Sequence, residues 1–197
     1  MAKSISINMV LNSNQELEQL SDEALLKAYK KGNEDAFMII FKRYEKNLIA
    51  YLAKYSSNIE LSRDICQDSF LKLIQKPPSF LLGGKLKPWL FRTARNGIID
   101  HLRRSNRQVD NPLAIEQLKD DERPDKALRN EEDIKMLSKY IDDLPDDIRD
   151  VVCQRVYGNL SFKEISKVSS MPLGTALWRM QKGIKMMRKA MLKDKQF

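Results

Sequence analysis

Few residues in this chain of 197 could carry out bond-making chemistry. His101 is the only histidine, and the two cysteines, Cys66 and Cys153, lie far apart in the sequence. A zinc site needs about four clustered nitrogen or sulfur ligands, which these residues do not supply. The sequence also has no phosphate-cradling glycine loop and no nucleophile beside a general base. We therefore expect no metal, no cofactor and no enzymatic activity.

A cluster of cations with one amide is arranged for a different kind of chemistry, the binding of nucleic acid. Guanidinium groups bind phosphates, and an amide near an aromatic-bearing, glycine-containing loop suits the capture of an unstacked base. A solvated basic helix would explain the same pattern equally well. The candidate residues are Lys87, Arg92, Arg95, Asn96, Arg103 and Arg104.

A second cationic set lies near the C-terminus, on the last of two helices joined by a tight turn at residues 170–174. Ser161 can cap the first helix and Thr175 the second, which makes a helix-turn-helix whose second helix normally enters the major groove. An ordinary helical hairpin with a solvated basic face is the alternative. We expect Ala176, Met180, Ile184, Met187 and Met191 to be buried. The candidate DNA contacts are Thr175, Leu177, Trp178, Arg179, Lys182 and Lys185.

A third surface is predicted on a helix from about residue 62 to residue 76, which Pro77 ends. Its inward stripe is expected to be Ile65, Cys66, Ser69, Phe70, Leu73 and Ile74. An exposed leucine between acids and an amide is an unusual face in a basic protein. It is either a docking face for a partner helix or a solvated surface with one stray leucine. This face consists of Asp64, Gln67, Asp68 and Leu71.

The elements that position these residues are predicted to be helices throughout. Apolar residues recur at helical spacing, and the chain has only 7 Gly and 7 Pro, so the fold class is all-α. An aromatic stripe from Phe37 to Tyr55 is expected to be core. No apolar run approaches the roughly 20 residues that span a bilayer, and the N-terminus does not resemble a secretory signal. We expect both cysteines to be buried packing residues in a reducing cytoplasm.

Charge divides the chain into modules. Residues 22–104 hold 16 Lys and Arg against 9 Asp and Glu, and residues 134–197 hold 13 against 7. Between them, residues 105–133 hold 5 basic and 9 acidic side chains and too few apolar ones to offset chain entropy. Two basic blocks around an acidic stretch indicate two modules facing a polyanion. The predicted organisation is a tail at 1–20, an N-terminal helical bundle at 21–106, a flexible linker at 107–132 and a C-terminal helix-turn-helix domain at 133–197.

Four stretches of the sequence, in order and around the acidic linker, resemble the extracytoplasmic-function sigma factors of bacterial RNA polymerase. Residues 35–37 (DAF) with Tyr44 resemble the family's opening helices, and residues 64–72 (DICQDSFLK) resemble its polymerase-docking helix. Residues 89–96 (WLFRTARN), with Asp100 and Arg103, resemble its promoter-melting helix. The segment from residues 144–145 (LP) through 160–165 (LSFKEI) to 172–175 (PLGT) resembles its helix-turn-helix.

The resemblance implies a non-enzymatic promoter-recognition subunit. Its partners would be core polymerase, through the clamp of the largest subunit and the flap of the second, promoter DNA and an anti-sigma protein, with no membrane insertion. The Gln67, Asp68 and Leu71 face would dock on the clamp. The Arg92 side and the loop at 79–87 would read the minus-ten element, where Asn96 would touch an extruded base. Arg103 and Arg104 would hold upstream duplex phosphates.

The last helix departs from the family pattern. Leu177 and Ile184 stand where relatives often carry Arg or Lys, and Trp178 replaces a small polar residue. We expect an unusual minus-thirty-five element, read partly by apolar contact with thymine methyl groups. Trp178 could equally pack inside its own domain. The alternative function is a free-standing helix-turn-helix regulator that binds a symmetric duplex as a dimer, but it leaves the helix at 89–104 without a role.

Overall fold

A computed structural model describes residues 16–56, 58–75, 78, 85–108 and 131–194. Those residues contain helices and no strands, and the all-α prediction is confirmed. Within them, no helix is long and apolar enough to cross a membrane. Residues 1–15 of the predicted N-terminal tail and residues 109–130 of the predicted linker lie outside the described residues. The helices are α1 Asp22–Lys30, α2 Glu34–Leu52, α3 Ile59–Gln75, α4 Leu86–Gln108, α5 Glu131–Asp142, α6 Asp146–Val156, α7 Phe162–Val168 and α8 Leu173–Asp194.

Local capping chemistry sets the first two helix starts. The Ser21 hydroxyl accepts a hydrogen bond from the Ala24 amide at 3.3 Å, and the Asn33 carbonyl oxygen accepts one from the Ala36 amide at 3.2 Å. Each bond satisfies a backbone donor that has no partner within the helix. Gly32 separates the two helices with a φ of 96°, a value that favours glycine. Both helix starts are thus set by a side chain that directly precedes the helix.

The N-terminal module, α1–α4, has a core built from one stripe of each helix. The predicted aromatic stripe of α2 faces inward, with Tyr51 fully buried and Phe41 packed on Phe70 of α3 at a centroid distance of 4.8 Å. Each such buried side chain contributes about 1.5–3 kcal/mol through removal of apolar surface from water. The core members of α3 and α4 are Ile65, Cys66, Phe70, Leu73, Leu86, Leu90, Phe91, Ala94 and Ile98.

The prediction that Ile74 faces the core is wrong, because its side chain is 38% exposed. Successive residues of a helix are rotated by about 100°, so Ile74 lies about 60° from Leu71 and about 100° from Leu73. It therefore shares the outward side with Leu71, which is 48% exposed. The buried stripe of α3 ends at Leu73.

The C-terminal module, α5–α8, is organised by the crossing of α8 over α6. Gly183 is buried at the crossing. A Cβ atom there would lie 2.8 Å from Val152 Cγ2 and 2.9 Å from Ile148 Cγ2, closer than atoms in a packed core approach. Glycine thus allows α8 to lie directly on α6. Ile184 is consequently turned outward and is 43% exposed, and the prediction that it is buried is wrong.

Three helices begin earlier than predicted. The first turn of α8 starts at Leu173, and the Ala176 amide donates to the Pro172 carbonyl at 3.2 Å. Thr175 is therefore inside the helix, and its predicted role as a cap is wrong. Asn58 caps α3 by accepting from the Leu61 amide at 3.1 Å, and α4 begins at Leu86, ahead of the predicted helix at 89–104.

The Gly183→Ala substitution is expected to lower the free energy of unfolding by about 1 kcal/mol. Overpacking against Val152 and Ile148 costs about 1–3 kcal/mol, and the higher helix propensity of alanine returns about 1 kcal/mol. Urea unfolding followed by circular dichroism measures the difference. Gly174→Ala is the matched control, because nothing lies within 4 Å of a Cβ atom at that position. A Gly183→Ala midpoint equal to or above that of the original protein would contradict the packing argument.

Candidate nucleic-acid and partner-binding surfaces

The outer side of α4 carries the exposed part of the first cationic cluster. The buried residues Leu90, Ala94 and Ile98 recur every fourth position and turn one side of α4 to the core. Arg92 and Asn96 therefore lie on the exposed side. Arg103 and Arg104 are exposed near the C-terminal end of the same helix. This side presents cationic groups and an amide with free access to a polyanion.

The other two members of the cluster face the C-terminal module instead. The Arg95 Nε atom lies 2.9 Å from the Asp150 Oδ2 atom of α6. Lys87 is half-buried, and its Nζ donates to the Asn159 carbonyl at 3.0 Å. The structure thus separates the predicted minus-ten residues into an exposed group and a group held between the modules. Residues 79–84 of the predicted reading loop at 79–87 lie outside the described residues.

Asp150 is the centre of a hydrogen-bond network that joins the two modules. Its side chain is 6% exposed. The Oδ1 atom accepts from the Tyr51 hydroxyl at 3.0 Å, from the Gln154 amide at 2.8 Å and from the Tyr55 hydroxyl. A buried carboxylate needs this many donors to offset the loss of its hydration.

The surroundings of Asp150 keep its partners protonated. Burial is the largest cause that raises the pKa of Tyr51 and of Tyr55 far above the usual phenol value, and the Asp150 charge adds to it. Burial alone would lower the pKa of Arg95, but the attraction of Asp150 outweighs it and the pKa is raised. Both phenols therefore remain donors, and the guanidinium remains charged, at neutral pH.

The helix-turn-helix is formed by α7 and α8. A capping box begins α7: the Ser161 hydroxyl accepts from the Glu164 amide, and the Glu164 carboxylate accepts from the Ser161 amide at 2.7 Å. The turn contains Ser170 at a φ of 52°. The Ser166 hydroxyl holds it by donating to the Met171 carbonyl at 2.6 Å. These local bonds fix the angle at which α8 leaves the motif.

The first half of α8 presents an apolar and cationic surface. Trp178 is 52% exposed and Leu177 is 39% exposed, so Trp178 does not pack in the core of its own module. The Lys182 Nζ lies 4.7 Å from the centre of the Trp178 ring, which is within cation–π range. Lys185 is exposed further along the helix. The indole face and a lysine are together available to a partner.

Arg179 and Thr175 are less accessible than their neighbours on α8. The Arg179 Nη2 atom lies 3.2 Å from the Asp147 Oδ2 atom, and the side chain is 25% exposed. Its Nε atom is buried without a hydrogen-bond partner. Thr175 is half-buried in the first helical turn. Four of the six candidate DNA contacts on α8 are therefore exposed to solvent: Leu177, Trp178, Lys182 and Lys185.

The acidic and apolar face of α3 is exposed as predicted. Asp64, Gln67, Asp68 and Leu71 all lie on the solvent side of the helix. Ile74 extends this face by one turn toward the end of α3. Two large apolar side chains beside two carboxylates form a surface suited to a partner helix with apolar and basic residues.

Asp150 is the functional residue that sequence reasoning missed. Its position between Ile148 and the apolar run of Val151 and Val152 was a signal, because a carboxylate in a buried stripe needs a partner. The partner itself could not be inferred from one helix. Among the described residues, no group of three or more His, Cys, Asp or Glu could hold a metal ion.

Comparison with known proteins shows what the chain is similar to. The Sigma-70 region 2 family model matches residues 40–108, which run from within α2 to the end of α4. The RNA polymerase sigma-H factor of Pseudomonas aeruginosa is 26% identical over 169 residues, covering 81% of this chain and 88% of that protein. The ECF RNA polymerase sigma-E factor of Escherichia coli K12 is 27% identical over 168 residues, covering 80% of this chain and 87% of that protein.

Two solved structures share the fold. The sigma factor RpoE of Bartonella quintana, in complex with the anti-sigma factor NepR, matches with a TM-score of 0.64 and 22% identity, covering 78% of this chain and 94% of that chain. CnrH in complex with the cytosolic domain of CnrY matches with a TM-score of 0.61 and 17% identity, covering 88% of this chain and 98% of that chain. In sequence the chain is thus similar to sigma factors of bacterial RNA polymerase, including extracytoplasmic-function members, and it shares the fold of two of them.

Proposed function

We propose that this protein directs core RNA polymerase to specific promoters and promotes strand opening there, with all the chemistry supplied by the polymerase. The exposed Arg92 and Asn96 side of α4 carries the proposal. A regulator that binds only duplex DNA has no use for it, whereas a sigma factor needs cations and an amide to hold melted strand. The curated relatives are named as RNA polymerase sigma factors, and nothing favours the free-standing regulator.

The minus-ten site is proposed on α4. Asn96 has an amide that both donates and accepts, so it is the candidate for the extruded base. Arg92 is placed to bind a neighbouring phosphate, and Arg103 and Arg104 to bind upstream duplex phosphates. Arg95 and Lys87 join this site once they leave the interface between the modules.

The minus-thirty-five site is proposed on the exposed surface of α8. Leu177 and Trp178 offer apolar contact to thymine methyl groups in the major groove, and Lys182 and Lys185 bind the backbone. The Arg179 guanidinium can donate two hydrogen bonds to a guanine base in the major groove. It does so after it separates from Asp147.

The face of α3 is the proposed docking site for the clamp of the largest polymerase subunit. It comprises Asp64, Gln67, Asp68, Leu71 and Ile74. We assign the flap of the second subunit to the C-terminal domain. The proposed domains are residues 21–106 and 133–197, with 107–132 as the linker that lets both reach their sites on the polymerase.

An anti-sigma protein is the further proposed partner. RpoE of Bartonella quintana was solved with the anti-sigma factor NepR, and CnrH with the cytosolic domain of CnrY. The exposed apolar side chains of α3 and α8 are surfaces that such a protein can cover. The proposed location is the cytoplasm, because the protein would act there with polymerase on promoter DNA.

Run-off transcription tests the function. Purified bacterial core polymerase is given a library of promoter fragments with and without this protein, and gel shifts of the protein alone run alongside. Specific transcripts only when both proteins are present support the proposal. No transcription, together with tight salt-sensitive binding of a symmetric duplex by the protein alone, would reject it in favour of the regulator.

Trp178→Ala is expected to reduce transcription from the selected promoters about tenfold, because the loss of one apolar base contact costs about 1–3 kcal/mol. Competition between promoter fragments with single thymine changes in the upstream element measures where the loss arises. Trp89→Ala is the control, because Trp89 is half-buried on α4 and lies outside α8. It should not alter the preference for particular bases in the minus-thirty-five element. Equal discrimination by the original and the Trp178→Ala protein would contradict a reading role for Trp178.

A further inference from the structure

The interface between the two modules holds side chains that the proposed function needs elsewhere. Arg95 of α4 is paired with Asp150 of α6 at 2.9 Å, and Lys87 donates to Asn159 at 3.0 Å. Both cations belong to the proposed minus-ten site. These pairings hold both side chains at the interface, and the buried Asp150 charge offsets the attraction of Arg95 for a DNA phosphate.

Asp150 connects the modules more extensively than an ordinary surface ion pair. It accepts hydrogen bonds from Tyr51 of α2, from Tyr55 in the turn after α2 and from Arg95 of α4, all in the N-terminal module. Within its own module, Gln154 and Ser169 also donate to it. The carboxylate is 6% exposed, so each pairing is little screened by solvent.

A second ion pair supports the same arrangement. The Lys54 Nζ of the N-terminal module lies 2.9 Å from the Asp142 Oδ1 atom of the C-terminal module, and the Lys54 side chain is 9% exposed. Phe91 of α4 is fully buried. A Cβ atom on Gly158 would lie 2.9 Å from the Phe91 ring, so the two modules meet here at van der Waals contact.

The interface is nevertheless incompletely filled. A cavity of about 330 Å³ lies beside Asp150, with Arg95 on one side and Arg149 and Arg179 on the other. A void forfeits the dispersion contacts that a packed core has. Beside this cavity the modules are joined by the Arg95–Asp150 ion pair, in which Arg95 can exchange its carboxylate partner for another anion.

We propose that this is a self-inhibited state in which the Asp150 carboxylate occupies the place of a DNA phosphate at Arg95. The inference rests on the proposed function, because it gives Arg95 a DNA ligand to lose. Opening the modules frees Arg95 and Lys87 for melted strand. Docking on core polymerase and binding to promoter DNA supply the interactions that favour the open state.

The Asp150→Asn substitution tests the closed state without polymerase or DNA. Cys153 lines the cavity and is fully buried, whereas Cys66 is buried in the core of the N-terminal module. Iodoacetamide labelling of the full-length protein, followed by mass spectrometry, reports on both thiols at once. We expect Cys153 in Asp150→Asn to react about tenfold faster or more, with Cys66 unchanged, because loss of the buried charge opens the interface.

Asp146→Asn is the matched control. Asp146 lies on the same helix and pairs with Arg149 at 2.8 Å, but its side chain is 94% exposed, so labelling should stay as in the original protein. Faster labelling of Cys66 as well would indicate unfolding. In that case Tyr55→Phe, which removes one donor to Asp150 and keeps the ring, decides the question. Unchanged Cys153 labelling in a folded Asp150→Asn or Tyr55→Phe protein would overturn the closed state.

The occlusion of Arg95 is tested by binding of a short fluorescein-labelled oligothymidylate to the free protein. Asp150→Asn should bind about tenfold more tightly than Asp146→Asn, since the fraction of competent protein rises and the charge change is the same. Equal affinity would overturn the inhibitory role. Absence of transcripts with core polymerase would instead reject the proposed function, and the labelling result would still stand.

Discussion

Leu71→Glu is expected to abolish transcription directed by this protein through loss of binding to core polymerase. Leu71 is 48% exposed at the centre of the acidic and apolar face of α3. Docking would bury a glutamate against the apolar residues of the partner that are expected to contact Leu71. The lost apolar burial and the unpaired charge together cost about 3 kcal/mol or more, which is about a hundredfold or more in the dissociation constant. Fluorescence anisotropy of labelled protein titrated with core polymerase measures it.

The substitution is expected to leave the fold intact, because changes at an exposed helix position usually alter the free energy of unfolding by about 0.5 kcal/mol or less. Leu20→Glu is the control, since Leu20 is 37% exposed and lies outside α3. It should bind polymerase as the original protein does. Retention of binding by a folded Leu71→Glu protein would show that polymerase docks on another surface.

Asn96→Ala is expected to reduce promoter opening by about ten- to a hundredfold while leaving polymerase binding unchanged. Base extrusion costs a few kcal/mol that contacts in the site must offset. Removal of one buried hydrogen-bond partner costs about 1–3 kcal/mol. Permanganate reactivity of thymines in the minus-ten region measures the melted fraction directly.

Two comparisons isolate the role of Asn96. Asn47→Ala makes the same change at an exposed position of α2, away from α4, and should melt promoters normally. A template whose minus-ten bases are already unpaired should restore transcription to Asn96→Ala, because the cost of unstacking has been removed. Equal opening by Asn96→Ala and the original protein on duplex DNA would assign the base contact to another residue.

Features contained within one helix were predictable from the sequence. Apolar residues at every fourth position, Leu90, Ala94 and Ile98, determined which side of α4 is buried. Arg92 and Asn96 were therefore predicted on the exposed side. The same reasoning found the exposed face of α3 and the helix-turn-helix. These patterns depend only on the helical repeat of about 3.6 residues and on local capping, and both are written into neighbouring residues.

Errors arose where a helix met a particular neighbour. Ile184 has the spacing of a core residue, yet Gly183 is the residue at the contact with Val152 and Ile148. The line along which α8 crosses α6 depends on the shapes of both helices, so periodicity in α8 alone could not locate it. Trp178 was undecided for the same reason, and its 52% exposure follows from that crossing.

The sequence by itself thus determined the helical fold class, the faces of α3 and α4 and the presence of a helix-turn-helix. Only the tertiary structure decided that Arg95 faces Asp150, 55 positions away, and that Tyr51 reaches the same carboxylate across 99 positions. The reason is physical: contacts within a helix follow from one repeating geometry. Contacts between modules depend on packing surfaces and charges whose pairing no local pattern specifies.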